Sequence, residues 1–234
     1  MRKIGNKKTK RTELNRSVLK EFVRGKSVAF VGLSPCLKGR GLGREIDSHD
    51  IVYRTNMYPL SKDLQVDYGG RCDIISFQRL YHKFASQYLS NGVKYLIPHL
   101  CDSERDIFHL PHFYVPMSER KVYGREIAKY TKMKLLHPTA GMIAYFLTLG
   151  CKSFKYYGVT MYQDESGKIT NHTEFDHYID EYKESWGEGR YDKNMKYQMD
   201  SDTSHNFAAH AKYIRHLIHT GKIDIDEYSG KFFE

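Results

Sequence analysis

One stretch restricts what this chain can fold into more than any other. Ser27–Gly32 (SVAFVG) is a short apolar run ending in glycine, and LSPCLKGRGLGREI follows it as a Gly-rich turn leading into a helix start. A continuous apolar run of that length suits a strand buried on both faces, and such strands belong to parallel sheets. Runs of the same kind recur at Asp50–Arg54, Cys72–Phe77, Lys94–Pro98, Phe113–Pro116 and Ser153–Val159. Helical patterns lie among them. Residues 12–25 put Leu14, Val18, Phe22 and Val23 on one face, with Gly25 as the stop. Thr139–Gly150 (TAGMIAYFLTLG) is apolar nearly all round, which predicts a helix inside the fold capped by Thr139. Asn206–His219 predicts a closing helix, apolar at Phe207, Ala211, Ile214, Leu217 and Ile218 and followed by Gly221. Residues 160–200 read as a long polar loop or lid. Strands alternating with helices predict an α/β fold with a mostly parallel sheet covered on both faces.

Charge divides the chain more sharply than hydropathy does. Residues 1–26 hold ten Lys/Arg and two acids, which is +8 of the total of +9. Residues 27–234 are nearly neutral and show no internal repeat or linker, so they are expected to form one domain behind a basic arm, partly helical or disordered. The arm is either a solvated tail or a polybasic segment that finds an anionic membrane surface. It has few aromatics, so base stacking, and with it nucleic acid, is not expected. Its removal up to residue 24 is expected to leave the fold intact. With 14% aromatic residues, disorder over most of the chain is excluded. The longest near-apolar run, Met142–Leu149, is far short of the roughly 20 residues that cross a bilayer. Cys36, Cys72, Cys101 and Cys151 show no C-x-x-C spacing, and no signal-peptide pattern opens the sequence. Free thiols and a cytoplasmic protein, peripheral on the cytosolic membrane face if the arm docks there, are therefore expected.

Gly39, Gly41 and Gly43 lie in KGRGLG behind the first apolar run. Glycines there let backbone N–H groups approach a phosphate, or simply make a flexible βα loop. The wider context is more specific. The run from Val28, VAFVGLSPCLKGRGLGREIDSHDIVYRTN, resembles the large sialyl motif of the sialyltransferases of glycosyltransferase family 29. His137–Val159 resembles the family's small motif, with its turn, apolar helix, Cys and Tyr-Gly strand end. His177-Tyr178-Ile179-Asp180 resembles the third motif, and His205 sits where the very short motif has its His. The four appear in the family's order.

That resemblance implies a Rossmann-like three-layer sandwich of the variant glycosyltransferase A type. It implies inverting, metal-independent transfer of sialic acid, or a related acidic keto sugar, from a cytidine monophosphate donor. The acceptor would be a hydroxyl of a glycan, glycolipid or polysaccharide, with no cofactor. Gly32, Ser34, Cys36 and Asn56 match the large motif's donor positions. Thr139, Ala140 and Gly141 match the small-motif turn, and Gly158 its strand end. His177 matches the donor-phosphate contact and His205 the catalytic base. The chemistry suits these residue types. Glycosidic cleavage leaves negative charge on the departing phosphate, which a His N–H stabilises. The attacking hydroxyl must lose a proton, and a neutral His has the pKa for that near pH 7.

The chain departs from the pattern at several places. Ser27 stands where the family has a Cys that pairs with the small-motif Cys, so Cys151 lacks that partner. The family's Gly-Asn-Ser-Gly-Asn turn is Gly32-Leu33-Ser34-Pro35-Cys36, which removes two amides; the small-motif Ser-Thr is Thr139-Ala140; and the Glu expected after the last His is His210. Asp200-Ser201-Asp202 is a D-x-D, either a metal site for a nucleotide diphosphate or a polar loop. Asp176 and Asp180 flank His177 and could orient it. The competing reading is a binding protein: the fold survives, the missing amides mark lost catalysis, and the arm holds membrane or nucleic acid.

Overall fold

The computed structural model describes residues 14–32, 34–57, 61–77, 79–99, 109–115, 143, 145–161, 166 and 207–234. Helix α1 (Arg16–Val23) leads into strand β1 (Ser27–Val31). A 3-10 turn (Pro35–Leu37) and α2 (Gly43–Ser48) precede β2 (Ile51–Thr55), and α3 (Lys62–Tyr68) precedes β3 (Ile74–Phe77). α4 (Ala85–Ser90) leads to β4 (Tyr95–Pro98). After β5 (Ser153–Tyr157) come α5 (Phe207–His219), β6 (Asp224–Ile225) and α6 (Glu227–Gly230). The six strands form one sheet in the order β4-β3-β2-β1-β5-β6, and every pairing is parallel.

Side chains alternate across this sheet, so each face has its own core. Val28, Phe30, Ile51, Tyr53, Ile74, Phe154 and Tyr156 face one way and pack with α1, Ile143, Tyr145, Phe146, Leu149 and α5. Ala29, Val31, Val52 and Tyr157 face the other way, against Ile46 of α2 and Tyr68 of α3. Ile75, Phe77 and Leu96 extend that second face under α4, where Ala85 and Tyr88 are buried. The layering is helix–sheet–helix, as the alternation of strands and helices predicts. Among the described residues no helix is long and apolar enough to cross a membrane.

Several expectations change. Phe113–Val115 is buried but is not a strand: Phe113 N–H donates to the Leu96 carbonyl (2.9 Å), and only His112 makes a bridge. β6, a two-residue edge strand, was not foreseen from the sequence. In α1 the inward residues are Leu19 and Val23, both 0% exposed, while Val18 is 41% exposed. The Phe22 ring meets Tyr95 edge-on at 4.8 Å. The helical half of the basic arm is thus part of the core, and cutting at residue 24 would open it. Asn15 caps α1 by accepting from Ser17 N–H, and Arg24 N–H closes it on the Lys20 carbonyl.

Arg54, on β2, is 1% exposed and, among the described residues, pairs with carbonyls rather than a carboxylate. Its guanidinium donates to the carbonyls of Tyr68 (2.6 Å), Gly69 (3.0 Å) and Arg71 (2.8 Å). A cation there closes the C-terminal end of α3, where carbonyls lack helical partners.

Candidate functional site

In an open parallel sheet, ligands bind beyond the carboxyl ends of the strands, at the point where the strand order reverses. Here that point lies between β1 and β5. The turn after β1 and the turn after β5 touch there. Gly32 N–H donates to the Tyr157 carbonyl (2.8 Å), and Ser34 N–H to the Gly158 carbonyl (3.0 Å). A side chain at Gly32 would run into the Gly158 carbonyl and Val159, so only glycine permits this approach.

Ser34 is 4% exposed and is fixed three ways. Besides its N–H, its carbonyl accepts from Tyr68 Oη (3.0 Å), and its Oγ accepts from Cys36 N–H (3.4 Å), capping the 3-10 turn. One strand away, Asn56 follows β2 in the left-handed conformation (φ 61°), which Asn tolerates better than most residues. Asn56 N–H donates to the Ser76 carbonyl (2.6 Å), and its carbonyl accepts from Tyr88 Oη (2.6 Å). The structure therefore brings Gly32, Ser34, Cys36, Asn56 and Gly158 to one end of the sheet. Thr139, Ala140, Gly141, His177 and His205 lie outside the described residues, as do Asp200 and Asp202.

The glycine loop does something other than either expectation. Gly39 N–H and Gly41 N–H each donate at 2.7 Å to the Asp67 carboxylate, one to each oxygen. Both glycines have positive φ (75° and 67°), which turns the two amides inward. An internal acid from α3 thus fills the anion-binding concavity that a phosphate would need, and pins the loop.

The C-terminal segment supplies a second polar cluster that the sequence motifs miss. Gly158 N–H donates to Ser229 Oγ (2.9 Å) and Asp226 Oδ2 (3.2 Å), and Val159 N–H to Ser229 Oγ (3.3 Å). Asp226 caps α6, its Oδ1 accepting from Tyr228 N–H and Ser229 N–H, both at 2.9 Å. Burial pushes the Asp226 carboxyl above its ordinary range, outweighing the backbone N–H groups that favour the charged form. The local signal was legible: Asp226 two residues before Tyr228 and three before Ser229 is an N-cap pattern. Its link to Gly158 was not.

Cys36 Sγ lies 3.6 Å from Ser229 Oγ. Burial pushes this thiol up to about 11. At pH 8 that leaves about a hundredfold less thiolate than an unperturbed cysteine has. Iodoacetamide should therefore label Cys36 at least about a hundredfold more slowly in native protein than in urea, read by peptide mass spectrometry. Equal rates would show that the thiol does not sit against Ser229 as described.

His210 replaces the expected Glu and is 0% exposed on α5, on the same side as the buried Ile214 and Leu217. It belongs to the core rather than to an open site.

Two solved structures of a mammalian sialyltransferase share similarity with the chain. One, in complex with Gal-β-1-3GalNAc-ortho-nitrophenol, is 18% identical over 82% of this chain and 72% of that one, with a TM-score of 0.47. The other is 17% identical over 85% and 79%, with a TM-score of 0.45. Residues 8–125, half of the chain and including Gly32, Ser34, Cys36 and Asn56, match the model of glycosyltransferase family 29 (sialyltransferase), and the chain belongs to that family.

Proposed function

We propose that this family member moves sialic acid, or a related acidic keto sugar, from a cytidine monophosphate donor to a glycan hydroxyl. One observation carries the reading. Ser34 and Asn56, the donor positions of the large motif, share the carboxyl end of the sheet with Gly158 at the point where strand order reverses. In this reading the cytidine nucleotide sits between the Gly32–Cys36 turn and the Thr139–Gly141 turn. His177 steadies the departing phosphate and His205 takes the acceptor proton. Transfer inverts the sugar carbon and needs no divalent metal. The acceptor is a glycan, glycolipid or polysaccharide, handled at an anionic membrane face that the basic arm finds. Lys20 on α1 and Arg24 at its C-cap, both exposed, support that last part.

Cytidine monophosphate at 100 times its dissociation constant should stabilise the protein by roughly 2.7 kcal/mol. For a chain of this size that raises the melting temperature by about 5–10 °C. The shift should survive EDTA. Stabilisation by uridine diphosphate with manganese, but not by the cytidine nucleotide, would hand the site to Asp200-Ser201-Asp202. Binding without any transfer or hydrolysis of the donor would favour a fold kept for binding.

A further inference from the structure

We propose that Asp226 and Ser229 are positioning residues for the donor. From the C-terminal helix α6, they set the spacing between the turns that follow β1 and β5. The proposal rests on the cytidine-donor reading above.

The hydrogen bonds close on one another. A hydroxyl has two lone pairs and one proton. Gly158 N–H and Val159 N–H occupy the lone pairs of Ser229 Oγ, and Cys36 Sγ faces it for the remaining contact. Asp226 uses Oδ1 to cap its own helix and Oδ2 to accept from Gly158 N–H. Gly158 passes the constraint on, since its carbonyl accepts from Ser34 N–H. Asp226 and Ser229 thus hold one turn through Gly158 and Val159, and reach the other through Ser34 and Cys36. They are 2% and 0% exposed, so water cannot take over these bonds if a side chain is removed.

The family resemblance has an amide residue at the position of Cys36, and this chain has a thiol there that faces Ser229. The Gly158 N–H is committed to Asp226 and Ser229. A donor therefore gains from Gly158 through the placement of Ser34, not through that N–H.

Ser229→Ala removes the shared acceptor. Asp226→Asn is milder: the amide oxygen still accepts from Tyr228 and Ser229, and only the tie to Gly158 is lost. Both should be made in the full chain, with Val23→Ala as control. Val23 is fully buried at the other end of the sheet, next to the start of β1. Cytidine monophosphate affinity is measured by calorimetry, at a temperature where all variants are folded, beside the melting temperature. Each crevice variant should lose about tenfold in nucleotide affinity, the equivalent of one ordinary hydrogen bond. Donor KM should rise by a similar factor, with kcat changing less than about twofold, because no reacting group is touched. Val23→Ala should lower the melting temperature and leave affinity alone. If both crevice variants bind as tightly as the parent, or if Val23→Ala loses as much affinity, the positioning role is wrong. If the parent itself binds no cytidine nucleotide, the donor reading fails first and takes this proposal with it.

Discussion

Removing residues 1–24 is expected to unfold the protein, and removing residues 1–13 is not. The longer cut takes Leu19 and Val23 out of the main core, where both are 0% exposed, and strips Phe22 from Tyr95. Fully burying two such aliphatic side chains stabilises by about 3–6 kcal/mol. Domains are stable by only about 5–15 kcal/mol in all. The loss also uncovers β-strand side chains beneath the helix. The contacts between arm and core described above all involve residue 14 or later, so the shorter cut spares them. Urea unfolding followed by circular dichroism distinguishes the two. The shorter cut also isolates the charge, because residues 1–13 carry Arg2, Lys3, Lys7, Lys8, Lys10 and Arg11 against Glu13. At about 1 kcal/mol per basic residue near an anionic bilayer, their loss should weaken binding to phosphatidylserine vesicles by more than about a hundredfold. Unchanged vesicle binding in the shorter protein would remove the membrane from the proposal.

The other large effect concerns the proton. If His205 is the general base, His205→Ala should slow transfer by about 10²–10⁴-fold with little change in nucleotide affinity. His177→Ala should slow transfer as well, and should weaken nucleotide binding where the phosphate contact already exists in the ground state. His210 is the nearest rival in sequence. It is five residues beyond His205, more than a helical turn, and fully buried on α5. His210→Ala is therefore expected to lower the melting temperature rather than to abolish a step of the chemistry. Full transfer activity in His205→Ala, together with its loss in a folded His210→Ala, would reverse the assignment.

The central strands were legible because a strand covered on both faces writes itself as a mostly apolar run; β1 to β5 all did so, even with Arg54 in β2 and Lys155 in β5. β6 lies at the sheet edge, where two residues, one of them Asp224, carry no such mark. Phe113–Val115 shows the opposite limit. Its residues are apolar and buried, yet they do not run in a ladder, and burial alone does not reveal that. Four apolar residues in a short helix also fit more than one face, which is how Val18 was placed inward in place of Leu19. At the site, the motifs led to Ser34, Asn56 and Gly158, because each belongs to a local turn. They misread the glycine loop, since inward-turned amides look the same whether a ligand or Asp67 fills them. Asp226 and Ser229 were out of reach for another reason: their partner Gly158 lies 68 and 71 positions away.

The strand order has a consequence for how the chain is made. β1–β2, β2–β3 and β3–β4 pair residues 21 to 23 positions apart, as in Val28↔Ile51 and Ile74↔Tyr95. β1–β5 pairs Ser27 with Ser153, a separation of 126. Closing the longer span costs about 1.5 kcal/mol more in chain entropy than closing the shorter ones. On a ribosome, β1 through β4 emerge while the outer edge of β1 still has no neighbour. That edge is a row of open N–H and C=O groups in the most apolar strand of the protein, a template for joining a second nascent chain. The arrival of β5 covers that edge along the strand and, at its carboxyl end, forms the crevice between the turns after β1 and β5.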